Sequence, residues 1–147
     1  MDLHTAGIII QTLNLMAIVD GDVAPEEKEL LAKLSKRYLK DASIPSWAAA
    51  FDHPNDLEKL TEEIPGQYKQ LTVKLSYMVI ISSREAHQFE VNSDERLAFE
   101  RLCNHLEINE ETQINIMTEA RNDLLKRPSP WTALNEAFSA LYPRHSN

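Results

Sequence analysis

Residues 13–20 read Leu-Asn-Leu-Met-Ala-Ile-Val-Asp, and residues 75–82 read Leu-Ser-Tyr-Met-Val-Ile-Ile-Ser. Each stretch precedes a second segment of matching pattern. Residues 24–34 are Ala-Pro-Glu-Glu-Lys-Glu-Leu-Leu-Ala-Lys-Leu, and residues 92–102 are Asn-Ser-Asp-Glu-Arg-Leu-Ala-Phe-Glu-Arg-Leu. In both second segments, two acidic residues and a basic one precede apolar residues at helical spacing. We therefore predict two repeated helix-loop-helix units that pack into a four-helix core.

The rest of the chain also has the pattern of helices rather than strands. Apolar residues recur at helical spacing, and no segment sustains the two-residue alternation of a strand. The predicted helices span about residues 3–19, 25–40, 56–63, 65–84, 93–106, 110–126 and 131–141, with a further short helix near 47–51. We therefore predict an all-α helical bundle of about six or seven helices. It forms a single domain, residues 1–147, with repeat units at about 3–40 and 65–106 and C-terminal helices at about 110–141.

Composition and charge restrict the classes of function. The chain has 147 residues, 43% of them hydrophobic, which is enough for one domain with a core. Its formal net charge of −8 opposes binding to a phosphate backbone, so we do not expect a nucleic-acid partner. The N-terminal apolar run is too short and too mixed for a signal peptide or a membrane span. We therefore expect a cytoplasmic protein without membrane insertion.

Residues 16–31 read Met-Ala-Ile-Val-Asp-Gly-Asp-Val-Ala-Pro-Glu-Glu-Lys-Glu-Leu-Leu, and this string resembles the signature of the TerB-like (tellurite resistance protein B) family. In that family an apolar helix ends at Ala-x-x-Asp-Gly, and a glutamate opens the next helix. The resemblance covers about residues 5–110 and implies a small all-α bundle with a doubled helix pair. It also implies a role in stress response and tellurite resistance, for which no catalytic activity is established. The roles proposed for the family are metal binding through acidic residues and scaffolding of membrane-associated complexes. Ser82 and Ser83 replace Asp-Gly in the second copy, which weakens the expectation that both copies contribute to one acidic site.

The acidic residues around the first loop are the candidate metal ligands. Asp20, Asp22, Glu26 and Glu27 offer carboxylate oxygens of the kind that calcium prefers. An EF-hand is excluded, because its sixth and twelfth positions would fall on Pro25 and Leu31 instead of glycine and glutamate. In the second unit, the corresponding candidates are Asp94 and Glu95. The ligand would be a weakly bound divalent cation.

The same residues also have a structural interpretation. Asn92 and Glu95 have the spacing of a capping box, in which each side chain accepts a hydrogen bond from a backbone amide at the helix start. Glu27 occupies the equivalent position of the first unit, and Gly21 suits a turn with positive φ. Capping, cation binding and an acidic partner-binding patch all remain open from the sequence.

The loop at residues 83–92 is the second place where function could lie. His87 with Glu85, Glu90 and Asp94 is an acceptable ligand set for a transition metal, although the spacing matches no specific zinc template. A solvated loop histidine is the alternative, with Phe89 as an anchor on the bundle. Long loops often carry function, so the role of this segment stays open.

Catalytic motifs are missing from the sequence. It has no His-Glu-x-x-His, no Gly-x-Ser-x-Gly, no glycine-rich phosphate loop and no dinucleotide fingerprint. The single cysteine, Cys103, is predicted to be a buried thiol, and on a helix it points away from His105. We therefore predict a non-enzymatic helical interaction module with an unidentified protein partner. The alternative is a divalent-cation-binding module that uses the acidic loops.

Overall fold

The computed structural model describes residues 3–18, 25–38, 56–82 and 93–139. This part of the chain contains seven α-helices, a 3-10 helix and no strand. The α-helices are α1 (Leu3–Ile18), α2 (Pro25–Tyr38), α3 (Asp56–Glu62), α4 (Lys69–Ile81), α5 (Ser93–His105), α6 (Glu110–Lys126) and α7 (Pro130–Ser139). The predicted all-α bundle of six or seven helices is confirmed. The short helix predicted near 47–51 lies outside the described residues.

The predicted helix at 65–84 begins later than the apolar pattern indicates. A 3-10 helix occupies Gly66–Tyr68, closed by a hydrogen bond from the Tyr68 amide to the Pro65 carbonyl at 2.9 Å. Tyr68 has φ −110° and ψ 3°, outside α-helical geometry, so α4 starts at Lys69. The ring of Pro65 fixes its φ near −60°, but its ψ of 147° is extended and not helical. The helical backbone therefore begins only after Pro65. Gly66 and Gln67 of this 3-10 helix line a groove together with residues of α4.

Helices α1 and α4 form the centre of the bundle. Helix α1 contacts α2, α3, α4 and α5, and α4 contacts α1, α2, α5, α6 and α7. Both helices are apolar on nearly every side, as expected of helices surrounded by others. Tyr77 of α4 packs on Phe99 of α5 with ring centroids 5.3 Å apart and the planes tilted by 53°. The remaining helices therefore bury their apolar stripes against these two.

The contacts between helices have the pattern of two related pairs. Helix α2 packs on α4 of the other pair, and α5 packs on α1. The second helices start at aligned positions, Pro25 and Ser93. Aligned positions are buried in both pairs, namely Leu13 and Leu75, Met16 and Met78, Leu31 and Phe99, and Leu34 and Leu102. An approximate two-fold relation between the predicted repeat units would produce this reciprocal pattern.

A tight turn between α5 and α6 sets the direction of α6. Glu107 has a positive φ of 57°, and the Ile108 amide donates to the Cys103 carbonyl at 2.9 Å, which ends α5 in the manner of a Schellman motif. Asn109 then caps α6, because its side-chain oxygen accepts from the Thr112 amide at 2.8 Å. After this turn α6 runs along α4, and two acidic residues of α6, Glu119 and Asp123, pair with Lys74 of α4.

Candidate functional site

The sequence-predicted metal ligands fall where the structure describes little. Asp20 and Asp22 lie outside the described residues, as do His87 and the rest of the 83–92 loop. The backbone is described for four further candidates in the first turns of α2 and α5, but their side chains are not: Glu26, Glu27, Asp94 and Glu95. Among the described residues, no group of three or more histidine, cysteine, aspartate or glutamate side chains is arranged to hold a metal ion. The acidic cation site therefore stays a prediction.

Cys103 lies in the core, as predicted. Its side chain has no solvent exposure, and burial, with a smaller contribution from the Glu100 carboxylate, raises the pKa of the thiol to about 12. The thiolate is the nucleophilic form, and it is scarce near neutral pH when the pKa is this high. His105 is only half-buried on the same helix. Cys103 is thus a packing residue and has neither the ionisation nor the access of a nucleophile.

The state of Cys103 has a direct test. We expect the native protein not to react with Ellman's reagent near neutral pH, since the thiol is buried and protonated. In guanidinium chloride one thiol per chain should react at once. Rapid reaction of the native protein would contradict the burial of this side chain.

An open groove lies between the start of α4 and the two C-terminal helices. Its volume is about 530 Å³. The 3-10 helix and α4 contribute Gly66, Gln67, Gln70, Leu71 and Lys74, while α6 contributes Ile116 and Glu119 and α7 contributes Ala137. Binding sites for small ligands and peptide side chains commonly have volumes in this range. The groove is the candidate functional site of the described residues.

Lys74 connects α4 to α6 at the side of the groove. Its ammonium nitrogen lies 2.7 Å from Oε1 of Glu119 and 2.6 Å from Oδ2 of Asp123. Only 13% of the lysine side chain is exposed, compared with 63% for Glu119 and 28% for Asp123. No other charged residue of α4 lies between Gln70 and Ile81, and the lysine pairs across the helix interface with carboxylates of α6. The ion pairs therefore join the two helices that form most of the groove.

The ionisation of Lys74 argues against covalent or base chemistry in the groove. Burial by itself lowers the pKa of the ammonium group, but hydrogen bonds and charge from Asp123 and Glu119 outweigh it, and the net pKa is raised above 10.5. Lysines that form Schiff bases or act as general bases need a lowered pKa. Lys74 is a permanent cation that is already held by two carboxylates.

The lining of the groove combines an apolar floor with a polar rim. Leu71 and Ile116 are buried and Ala137 is half-buried, so they form the floor. Gln67, Gln70 and Glu119 are exposed and form the rim. A surface of this kind can hold the aliphatic part of a side chain and hydrogen-bond its polar end.

Helix α7 is held in place by contacts at its own start. The Thr132 amide donates to Oγ of Ser129 at 3.2 Å, which caps the helix. Arg127, at the end of α6, forms an ion pair with Glu136 of α7. The ion pair connects α6 to α7, and Ala137 of α7 lines the groove.

Sequence reasoning missed the groove, although one signal for it was present. Lys74 is the only charged residue between positions 70 and 82, and it interrupts an apolar helix. A charge in a helix that is otherwise buried predicts a partner on a neighbouring helix. The partners, Glu119 and Asp123, could not be recognised because they lie more than forty residues away in a segment with many acidic residues.

The fold and the groove define an all-α bundle with an open groove between helices, flanked by a lysine ion-paired to two carboxylates. No protein-family model matches the chain, and no curated protein or solved structure shows significant similarity to it. Within the ranges that the structure describes, no helix is both long and apolar enough to cross a membrane.

Proposed function

We propose that this protein is a non-enzymatic interaction module of the TerB-like, stress- and tellurite-resistance-associated type, and that a partner protein binds it in the groove between α4, α6 and α7. The groove carries this proposal, because it combines a buried apolar floor with exposed hydrogen-bonding side chains. The TerB-like part of the proposal rests on residues 16–31, with the Asp-Gly pair ahead of the second helix. A cytoplasmic location belongs to the same proposal.

The chemistry of the described side chains supports binding over catalysis. Cys103 is buried with a raised pKa, and Lys74 is ion-paired with a raised pKa, so neither is an activated nucleophile or base. The groove is also formed by three helices that other contacts hold in place, such as the Arg127–Glu136 ion pair. A surface that is already formed between packed helices needs less ordering when a partner binds than one that must fold.

Site-specific photo-crosslinking tests the groove as a binding surface. A benzoylphenylalanine at Gln70, which is exposed on the rim, should crosslink a defined partner protein in native cells. The control carries the same group at Arg101, which is exposed on α5, a helix that does not line the groove. We expect adducts at Gln70 that are absent at Arg101. Identical adducts at both positions, or none at Gln70, would refute the proposal.

A divalent-cation-binding role is the second proposal. Helix α2 begins at Pro25, and Asp20 and Asp22 precede in the sequence the first helical turn, which contains Glu26 and Glu27. Four carboxylates within eight residues can supply the oxygen ligands that calcium and magnesium prefer. The stabilising effect of a helix N-terminus on acidic residues accounts for the same placement without an ion.

Thermal unfolding separates the two proposals. If the acidic loop binds a cation, calcium, magnesium, manganese or zinc at about one hundred times its Kd should stabilise the fold by about 2.7 kcal/mol. The double variant Asp20→Asn with Asp22→Asn should lose this stabilisation and otherwise unfold like the unaltered protein. Unchanged melting with every ion would remove the cation-binding proposal and leave the interaction module.

A further inference from the structure

We infer that the groove accepts a positively charged side chain, arginine or lysine, of the partner polypeptide. This inference rests on the proposed function, since it names the chemistry of the partner at the same groove. It follows from the charges beside the groove, from the shape of its lining and from the way Lys74 is occupied.

The carboxylates next to the groove outnumber the cation that they bind. Lys74 is bound by Glu119 and by Asp123, so one positive charge faces two negative ones. Arg127 also interacts with Asp123 through its charge, but it is itself ion-paired with Glu136, so the two added charges cancel. Arg121 does not change this balance either. Its guanidinium carbon lies 5.5 Å from the centre of the Tyr77 ring, and Arg121 is not among the residues that line the groove. Lys74 and Glu119 balance within the lining, and Asp123, which lies outside the lining, leaves one more negative than positive charge around the lysine.

Glu119 is the group that an incoming cation would meet. It is 63% exposed, and Lys74 uses one of its oxygens, Oε1. Among the described contacts none involves Oε2, and a carboxylate can accept hydrogen bonds at both oxygens. Arginine binds carboxylates through paired N–H donors, which suits an exposed carboxylate at the edge of a groove.

The apolar floor fits the aliphatic part of a basic side chain. Lysine and arginine bury their methylene groups on apolar surface while their charged ends stay near water. Leu71, Ile116 and Ala137 form such a surface beside Glu119. The amide oxygens of Gln67 and Gln70 on the rim can accept further N–H bonds.

An anionic or metal ligand fits the groove less well. Lys74 is mostly buried and already bound by two carboxylates, so it has little capacity to attract an anion. The formal net charge of −8 also repels anions and attracts cations. A divalent metal would need to displace Lys74 from its two carboxylates, and the described residues supply no third acidic or imidazole ligand there.

Peptides that differ only in charge test this inference. The probe is a short capped alanine peptide with one central arginine, and its matched control has citrulline, which is nearly isosteric and neutral. Titration is followed by backbone amide chemical shifts. We expect the arginine peptide to shift the amides of Gln67, Gln70 and Glu119, with binding about 5-fold tighter than for citrulline, as expected for a partly exposed ion pair of about 1 kcal/mol.

Substitution of the carboxylate completes the test. Glu119→Gln should abolish the preference for arginine over citrulline, whereas Glu111→Gln, at an exposed position at the start of α6, should preserve it. Equal binding of the two peptides, or shifts located elsewhere on the bundle, would overturn the inference. If crosslinks still form at Gln70 in that case, the proposed function stands and only the basic side chain is wrong. If the crosslinking at Gln70 and the peptide titration both fail, the groove is not a partner-binding site and the inference about a basic side chain is also wrong.

Discussion

Replacing Leu13 with alanine is expected to lower the free energy of unfolding by about 3–5 kcal/mol, and Leu75→Ala should have an effect of the same size. Both side chains are completely buried in the central helices α1 and α4. Truncation removes apolar contacts and leaves a cavity, because helices packed on several sides cannot collapse into the space. Urea unfolding followed by far-ultraviolet circular dichroism measures the loss.

The matched control for these truncations is Ile114→Ala on α6. Ile114 is 56% exposed, so its truncation should change the free energy of unfolding by no more than about 0.5 kcal/mol. If Leu13→Ala or Leu75→Ala were as mild as this control, α1 and α4 would not form the centre of the bundle.

Replacing Asp123 with alanine is expected to lower the free energy of unfolding by about 1.5–3 kcal/mol, the range for hydrogen bonds to charged groups. Asp123 lies 2.6 Å from the ammonium nitrogen of Lys74, whose side chain is only 13% exposed. The substitution leaves a mostly buried cation with Glu119 alone. Chemical denaturation of the two proteins at neutral pH measures the difference.

The matched control removes a carboxylate from an exposed ion pair. Glu29 lies 3.1 Å from Lys33 on α2, with 65% and 47% of the two side chains exposed. Glu29→Ala should therefore cost no more than about 0.5 kcal/mol. An equal cost for the two substitutions would mean that burial does not strengthen the Lys74 ion pairs.

The effect of Asp123→Ala should depend on pH in a defined direction. The folded-state pKa of Lys74 is raised above its ordinary value of 10.5, so the folded protein holds the proton more tightly than the unfolded chain. This contribution is complete below pH 10.5 and is lost as the pH rises through the raised pKa. The difference in free energy of unfolding between the unaltered protein and Asp123→Ala should therefore be constant from neutral pH to about pH 10.5 and shrink at higher pH. A difference that grows in alkaline solution would contradict the assignment.

The extent of most helices could be predicted from local sequence. Helix α2 begins at Pro25 and α6 spans Glu110–Lys126, both as predicted. Helix starts could be predicted because they depend on proline, capping residues and acidic first turns, which are all local features of the sequence. The start of α4 was predicted four residues early. The apolar pattern continues through Tyr68, and only the backbone angles of the 3-10 turn separate it from the α-helix.

The groove could not be predicted, because its parts are distant in the chain. Leu71, Ile116 and Ala137 come from three helices, and each would be an ordinary core or surface residue of its own helix. Lys74 was a visible exception in an apolar helix, but its partners were chosen by the packing of α6 on α4. The acidic loop residues, which the sequence favoured as a site, lie outside the described side chains.

Local sequence was sufficient to predict an all-α protein and the approximate ends of most helices, because helical periodicity and capping act between residues a few positions apart. It also determined that Cys103 would be buried, as an apolar-face residue of α5. The pairing of Lys74 with Glu119 and Asp123, and the groove between α4, α6 and α7, are seen only once the helices are packed together. Ion pairs between helices and the shape of the space between them depend on how the helices pack, which local residue spacing does not specify.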